Sequence, residues 1–457
     1  MALNTFTRGQ TDAPRVTHIL AQFVANHPSR GWSDAVEHEA HRTFINWLGC
    51  GIGAANHTTV TSVLAAVREL EPAAQATVLG RTERVDMASA ALVNGVSSHT
   101  FDYDDTHLKT IIHPAGPVAS AVLALAEKTG SSGREAIDAL VLGIDVSCRI
   151  GNMIYPDHYD HGWHITGSTG MFGAAAACAR LLKLDTEQTT MALGIAASQP
   201  VGFREQFGTM TKPMHPGAAA RAGMMSALMA KQGFTASPRA IEAPRGFAQV
   251  ISNKFDWNEI TDELGQRFEI SFNTYKPFAC GIVIHPSIDG CIRMRTEHGL
   301  KPEDVARVEL KVHGLVLELT GKKTPKTGLE GKFSVYHGCA VGLAFGRAGE
   351  AEYADEIVTR RDVVALRDKV VATVDNSMAE AAADVTVLCT DGRRFHVYVD
   401  HAVGSLENPM TDLLLEAKFD ALVNPVLGPA KGQMLKSLSW KLADQPTLLE
   451  LTSHAHP

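Results

Sequence analysis

Five short segments of the sequence concentrate side chains that could bind an anion or move a proton. The first, FDYDDTHLKTIIHPAGP over 101–117, holds three aspartates, two histidines and a lysine ahead of an apolar helical pattern. Asp102 and Thr106 are four residues apart and would share a helix face. His113, with the proline after it, opens the next predicted helix, where unpaired N–H groups attract an anion. This segment could supply acid/base and substrate-orienting groups, a divalent-metal site, or only a solvated helix cap.

The second segment spaces three histidines evenly. HYDHGWHITGSTG, residues 158–170, places His158, His161 and His164 three apart. Such histidines either ligate a metal on a helix or are ordinary surface residues. The glycines that follow do not have the spacing of a phosphate-binding loop.

The third segment joins cationic side chains to a helix start. GFREQFGTMTKPMHPGAAARAG, residues 202–223, sets Arg204, Lys212 and His215 ahead of a helix predicted to begin near Pro216. This arrangement suits a carboxylate-rich ligand, because guanidinium and helix amide groups both donate to carboxylate oxygens. A plain surface loop is the alternative interpretation.

The fourth and fifth segments add a lysine and a tyrosine. NTYKPFACGIVIHPSIDG, residues 273–290, has Lys276 before another His-Pro helix start; Lys276 could instead form a Schiff base, although nothing else indicates such a site. GLEGKFSVYHGCAVGLA, residues 328–344, holds Tyr336, either a proton donor or a buried ring with a satisfied hydroxyl. Together the five segments favour proton abstraction next to a carboxylate, because the developing enediolate needs positive charge and donors while His or Asp takes the proton.

The elements that must position these groups change type along the chain. Up to about residue 266 the apolar spacing is mostly helical, with caps expected at Asp34 and Thr59 and helix ends at Gly130 and Gly233. Abundant Ala and Gly on these helices favour close helix packing.

The later part of the sequence predicts a smaller α+β unit. Alternating apolar and polar residues indicate antiparallel strands within 305–319, 365–377, 383–392 and 393–404, with helices between them. The tail from 408 returns to helical spacing and is too short to bury much alone. We therefore predict a mainly α protein with two domains, a discontinuous helical domain of residues 1–266 plus 408–457 and an α+β lid domain of residues 267–407.

Composition excludes several classes of partner. The 457-residue chain has a formal charge of -8, no basic run and no apolar stretch near the roughly 20 residues that span a bilayer. The N-terminus has no apolar core of a secretory signal, and the seven cysteines are widely spaced without a CxxC pair. We expect a cytoplasmic protein without nucleic-acid or membrane partners, ordered except at its two ends.

In this order, FDYDDTH with HPAG, GWHITGSTG, GTMTKPMHPGAAARAG, YKPFACGIVIHPSIDG and GLEGKFSVYH resemble the MmgE/PrpD family across nearly the whole chain. That family includes 2-methylcitrate dehydratase, cis-aconitate decarboxylase and iminodisuccinate epimerase. The resemblance implies a large helical domain with an inserted lid, a homodimer, and catalysis in the interdomain cleft without metal or organic cofactor.

The resemblance also implies the site residues. The expected catalytic residues are His113, His164, Asp102 and Tyr336, and the expected substrate-binding residues are Thr106, Lys212, Lys276 and His107. The spacing from Thr106 to His113 is one residue longer than in the decarboxylases, so His107 is an alternative to His113. A pocket histidine of the decarboxylases falls at Gly281, which argues against cis-aconitate itself as the substrate.

The predicted function is a cofactor-independent lyase that acts on a small di- or tricarboxylate and eliminates water or carbon dioxide. An epimerase or isomerase of a dicarboxylate such as iminodisuccinate would begin with the same carbanion. A non-catalytic carboxylate-binding protein and a metallo-hydrolase are the alternatives from other classes.

Overall fold

The computed structural model describes residues 13–457, and its first part is helical as predicted. The N-terminal disorder expected from sequence lies outside the described residues. The helices of this part are α1 Val16–Asn26, α2 Asp34–Gly53, α3 Thr58–Arg68, α4 Met87–Thr100, α5 Ala115–Thr129, α6 Gly133–Ile154, α7 Asp157–Asp160, α8 Ile165–Leu181, α9 Thr186–Ala196, α10 Thr211–Lys231, α11 Phe247–Ile251 and α12 Asn258–Thr261.

Local signals explain where several of these helices begin and end. Gly130 takes a left-handed conformation at the end of α5, as predicted. The predicted caps Asp34 and Thr59 are wrong by one and two residues, because the side chains of Ser33 and His57 accept the first amide hydrogen bonds of α2 and α3.

Small residues let the central helices approach closely. A Cβ atom at Gly173 of α8 would lie 2.7 Å from the carbonyl oxygen of Gly143 in α6. A Cβ atom at Gly223 of α10 would lie 2.5 Å from the carbonyl oxygen of Met171. The glycines and alanines of α8 therefore permit the close helix packing that the composition indicates.

The remaining part combines strands with helices, which confirms the predicted fold class. The strands of the whole chain are β1 Ala76–Thr77, β2 Arg84–Val85, β3 Asp105–His107, β4 Asn273–Tyr275, β5 Val305–Val312, β6 Val370–Val374, β7 Ala383–Cys389 and β8 Arg394–Val399. The later helices are α13 His285–His298, α14 Gly314–Thr320, α15 Gly328–Gly331, α16 Val335–Phe345, α17 Asp355–Val358, α18 Arg361–Arg367, α19 Asp412–Leu427, α20 Pro429–Trp440 and α21 Leu449–His454.

Two details of the predicted sheet are wrong. The sheet has the order β6-β5-β7-β8, and β5 pairs with β6 in parallel rather than antiparallel fashion. The strand predicted over 305–319 ends at Val312, after which His313 caps α14 by accepting the amide hydrogen of Leu315. The turn predicted between β7 and β8 is present, with Gly392 at φ +88°.

Two buried apolar cores occupy the described chain. The larger core runs through the helices up to α12 and includes Leu415, Phe419 and Leu435 of the C-terminal helices. The smaller core joins α13 and α16 to the sheet. The predicted boundaries at 267 and 408 stay a prediction. The prediction of disorder at the C-terminal end is wrong, because α21 forms there and buries Leu451.

A short strand pair connects the two parts of the chain. β3 and β4 pair antiparallel, with Asp105 opposite Tyr275 and Thr106 opposite Thr274. This pairing holds residues 102–113 beside Lys276. Among the described helices, none has the length and apolar character needed to cross a membrane.

Candidate active site

The residues after α4 form a buried turn, not the solvated corner that was one interpretation of the sequence. Asp102 directly follows the helix cap and has φ +52°, a left-handed conformation that Asp tolerates better than most residues. Asp105 caps α5, because its Oδ2 accepts the amide hydrogen of Ala115 at 3.1 Å. The turn therefore combines a helix cap with a buried carboxylate at Asp102 that faces a cavity.

Two lysines converge on Asp102. The Nζ atoms of Lys212 and Lys276 donate to Asp102 Oδ1 at 2.8 and 2.9 Å, and Lys276 also donates to the Asp102 carbonyl at 3.0 Å. Burial opposes ionisation of Asp102, but the two ammonium groups outweigh it and hold its pKa well below the usual value. One carboxylate thus faces two cations, which leaves positive charge for an anionic ligand.

The two lysines differ in their electrostatic surroundings. Burial lowers the pKa of Lys212, with Asp102 opposing. Burial also acts on Lys276, but Asp102 and Asp104 outweigh it and raise the pKa of Lys276. A Schiff-base lysine needs a lowered pKa, so this surrounding does not favour that role for Lys276.

His113 is held in one tautomer when it is neutral. Its Nδ1 lies 2.7 Å from the carbonyl oxygen of Asp105, which only accepts, so Nδ1 carries the hydrogen and Nε2 is left unprotonated. Burial lowers the pKa of His113 to about 3, with Lys276 adding to the effect and Asp104 opposing it. His113 is therefore a neutral imidazole with an available acceptor nitrogen.

A second histidine, which sequence reasoning missed, lies beside His113. His99 Nδ1 is 2.7 Å from Asp104 Oδ2, while His99 Nε2 is buried without a hydrogen-bond partner among the described residues. The ring centroids of His99 and His113 are 4.7 Å apart. The one signal in the sequence is the position of His99, close before the FDYDD segment.

His164 completes the imidazole cluster and precedes the first residue of α8. Its Nδ1 lies 2.8 Å from Nδ1 of His215, so one of these nitrogens donates to the other. Burial lowers the pKa of His164 well below its usual range and that of His215 to about 4. The helix predicted to begin near Pro216 begins earlier, at Thr211, so Lys212 and His215 lie within its first turns.

One cavity of about 930 Å³ collects five of the eight predicted site residues, which are Asp102, His113, His164, Lys212 and Lys276. Arg204 of the third segment also lines the cavity. The structure thus brings together residues from four segments that are far apart in sequence.

The other three predicted residues are not among the described residues that line this cavity. Thr106 is buried behind His113, with its Oγ1 3.4 Å from Nδ1. His107 uses both ring nitrogens, at 2.7 Å from Thr110 Oγ1 and 3.1 Å from Glu269 Oε2. Tyr336 is buried on α16, and Lys323 Nζ lies 5.7 Å from its ring centroid.

The evenly spaced histidines of the second segment point to different surroundings. His158 is buried, with Nε2 2.6 Å from Ser168 Oγ, and His161 is exposed near Asn253. They do not gather as three ligands of one metal. The surface interpretation holds for His161 but is wrong for His158 and His164, which are both buried.

Two other groups have the spacing of metal ligands. The ligand atoms of His99, His113 and His164, and those of His99, Asp102 and Asp104, lie within 4.8 Å of one another. In the second group Asp102 already accepts from two ammonium groups, and these would repel a divalent cation. The donor set around Asp102 therefore fits an anion better than a metal ion.

These features define a mainly helical protein with a smaller part built of helices and strands, and a cavity in which two lysines and two histidines surround a buried aspartate. The chain belongs to the MmgE/PrpD family. The model of the MmgE/PrpD N-terminal domain matches residues 18–260, and that of the C-terminal domain matches residues 278–444.

Curated relatives cover most of the chain at low identity. A cis-aconitate decarboxylase-like protein of Aspergillus oryzae is 24% identical over 97% of this chain and 98% of its own length. The cis-aconitate decarboxylase of Mus musculus is 25% identical over 94% and 91%. The 2-methylcitrate dehydratase of Salmonella typhimurium is 24% identical over 80% and 81%. The chain is thus similar to proteins named as decarboxylases and as a dehydratase.

Proposed function

We propose that this protein is a cofactor-independent lyase that acts on a small di- or tricarboxylate. The observation that carries the proposal is the convergence of Lys212 and Lys276 on Asp102 beside the neutral imidazole of His113, within one cavity. The names of the relatives, decarboxylases and dehydratases, support the same class of reaction.

Substrate binding follows from the lysines. Lys212 donates one of its three N–H groups to Asp102, and Lys276 donates to its carboxylate and carbonyl. The remaining N–H groups are available to a substrate carboxylate, and buried charge-assisted hydrogen bonds are the strong ones. Asp102 keeps the two cations close together and so fixes where that carboxylate binds.

Proton transfer follows from the tautomer of His113. In an elimination of water, Nε2 of His113 takes the proton from the carbon next to the bound carboxylate, and the electron pair moves into an enediolate beside the lysines. The electron pair then forms the carbon–carbon double bond as the hydroxyl group on the neighbouring carbon leaves, and the imidazolium of His113 gives its proton to that hydroxyl, which departs as water. In a decarboxylation, the carbon–carbon bond to the carboxylate breaks and carbon dioxide leaves the same kind of carbanion, which takes a proton that His113 Nε2 has accepted from solvent. A bound anion raises the pKa of His113 from its low value and makes it a better base.

A panel of acids tests the proposal. We would incubate the protein in heavy water with citrate, 2-methylcitrate, cis-aconitate and aspartate-derived dicarboxylic acids, and follow products by NMR. The expected result is loss of water or carbon dioxide from at least one acid. Deuterium exchange at the α carbon without such loss would indicate an epimerase and contradict the lyase, and no reaction with any acid would also contradict it.

Variants and chelation define the site. Lys212→Met and Lys276→Met are expected to lower kcat/KM at least a hundredfold, whereas Lys183→Met, which changes an exposed lysine, is the matched control.

Activity is expected to survive prolonged dialysis against a chelator; a loss restored by a divalent cation would contradict metal-free catalysis.

The expected homodimer and cytoplasmic location stay predictions. Light scattering of the purified protein measures the first, and a monomer at micromolar concentration would contradict it.

A further inference from the structure

The cavity is larger and more apolar than its charged cluster requires. The lysines, Asp102 and the imidazoles are joined by hydrogen bonds and ring contacts and so form only one part of the cavity wall. A volume of about 930 Å³ lies at the upper end of the range of pockets that hold drug-sized ligands. A small unsubstituted dicarboxylate would leave most of it to water.

Part of the remaining lining is apolar, and four of its apolar residues come from two adjoining segments. Ile282 and Val283 follow Gly281 in a 3-10 turn, and Leu317 and Leu319 belong to α14. All four side chains are half-buried and face the same cavity. Half-buried apolar surface in a pocket is what an apolar ligand group covers.

Charged residues at the margin of this lining are mostly paired with one another. Arg204 Nη2 lies 3.7 Å from Glu318 Oε1, and Lys322 forms an ion pair with Glu330. These pairs involve partly exposed side chains. Arg204 and Lys322 are therefore each engaged with a glutamate, whereas Lys212 and Lys276 share the single carboxylate of Asp102.

Aromatic rings connect the apolar lining to the carboxylate-binding end. The Nζ atom of Lys212 lies 5.1 Å from the ring centroid of Phe207 and 5.7 Å from that of Phe333. A carboxylate bound to Lys212 would therefore have apolar surface next to it, within reach of a substituent on the adjacent carbon.

Gly281 lies close to Thr320 on this side of the cavity. A Cβ atom there would meet Thr320 Cγ2 at 3.2 Å and the Lys332 carbonyl at 3.7 Å, and no third heavy atom of the described residues within 4 Å apart from its chain neighbours. Its φ of -55° is open to any residue. The backbone conformation thus does not require glycine, but a side chain at 281 would press on Thr320, which also lines the cavity.

We infer that the substrate is a di- or tricarboxylate that carries an apolar substituent of several carbons, which lies against Gly281, Val283 and Leu317. This inference rests on the proposed function for the carboxylate-binding role of the lysines. The substituent replaces water on the apolar lining, and each buried methylene strengthens binding severalfold.

Calorimetry with two inert dicarboxylates tests the inference without turnover. Succinate and 2-butylsuccinate carry the same charge and differ in the alkyl group. The expected result is that butylsuccinate binds at least tenfold more tightly. A smaller difference, or binding of neither compound, would overturn the inference.

Two variants locate the alkyl group. Gly281→Leu adds a side chain that crowds the lining beside Thr320, and Leu317→Asp places a charge on the apolar lining. Each is expected to reduce the tenfold preference to less than threefold. Leu413→Asp, at a residue that is 80% exposed, is the matched control and should keep the preference. A preference unchanged by both cavity variants overturns the placement. Failure of the proposed function can be told apart from failure of this inference. If the lyase proposal fails, none of the acids is turned over, but the preference for butylsuccinate in the binding experiment remains.

Discussion

At the level of single residues, the hydrogen bond from His113 to the Asp105 carbonyl distinguishes His113 from His107. His113 keeps Nε2 available, whereas His107 uses both ring nitrogens. We therefore expect His113→Gln to lower kcat by about 10²- to 10⁴-fold, the range typical of losing a general base. The measurement is steady-state kinetics on the acid identified by the NMR panel.

His107→Gln is the matched comparison. We expect it to retain kcat within about tenfold and to lower the free energy of unfolding by about 1–3 kcal/mol, because the buried hydrogen bonds of His107 to Glu269 and Thr110 would be lost. Equal loss of kcat in both variants would contradict the assignment of the base to His113.

Asp104 fixes the orientation of His99, and a second prediction concerns this pair. Nδ1 of His99 donates to a carboxylate, so Asp104→Asn would alter the tautomer while keeping the volume. We expect kcat/KM to fall at least tenfold and the acid limb of its pH profile to shift. A change in thermal stability with an unchanged pH profile would assign the pair a purely structural role.

The sequence alone indicates most of the residues that line this cavity, but not the hydrogen bonds and ring contacts between them. The five cavity residues come from segments with an unusual content of Lys, His and Asp ahead of helices, and that content is visible in the chain. His99 is not, because its importance arises from a contact with Asp104 and from neighbouring rings that only the fold creates. Tyr336 is a residue type that can donate a proton. In the fold it is buried on α16 and is not among the described residues that line the cavity.

At the level of elements, the C-terminal helix α19 supports the site through one side chain. Lys418 Nζ donates to Asn46 Oδ1 at 2.7 Å and to the carbonyls of Tyr103 and Lys276 at 2.6 and 2.9 Å. It thereby ties α2, the turn after α4 and the segment after β4 together. Burial lowers the pKa of Lys418 to about 8.

Lys418→Met should keep most of the packing volume and remove these three bonds. We expect a loss of about 2–4 kcal/mol in the free energy of unfolding, because buried carbonyls lose their donor. We also expect a lower kcat, because Lys276 moves. Lys431→Met, which removes a bond to His456 near the C-terminus, is the control. Unfolding in urea and steady-state kinetics are the two measurements, and an unchanged kcat would contradict the supporting role.

Element type was predictable wherever local periodicity agreed with tertiary packing. Residues 305–319 alternate apolar and polar positions over much of their length, yet His313 caps a helix in the middle and the strand comprises only the first eight residues. The parallel pairing of β5 with β6 could not be predicted from the sequence pattern either. Strand direction depends on the route of the intervening helices and not on the alternation of apolar and polar residues.

At the level of the whole molecule, several buried imidazoles link stability to pH. Burial lowers the pKa of His113 and His285 to about 3, and of His158, His215 and His337 to about 4. The unfolded chain takes up protons at these side chains near pH 6.5, which the folded chain does not. Between pH 6.5 and about 4 the unfolded state therefore binds more protons, and stability falls as the pH falls.

Two buried carboxyl groups act in the opposite direction. Burial raises the pKa of Asp105 to about 7 and that of Asp145 to about 6, so the folded state holds these protons more firmly than the unfolded state. They stabilise the fold as the pH falls toward 4 and offset part of the loss. Burial also lowers the pKa of four further histidines and raises that of three further carboxyl groups, so nine imidazoles against five carboxyl groups still predict a net decrease.

We therefore expect the free energy of unfolding, measured by urea denaturation, to decrease steadily from pH 6.5 to 4.5. His285→Gln should make this decrease smaller by about 2 kcal/mol, because it removes one group whose pKa differs by several units between the two states. His298→Gln, at an exposed position, should leave the slope unchanged. If the slope is the same in wild type and in His285→Gln, then His285 takes up a proton in the folded state as well. That result would contradict the expectation that burial keeps His285 neutral.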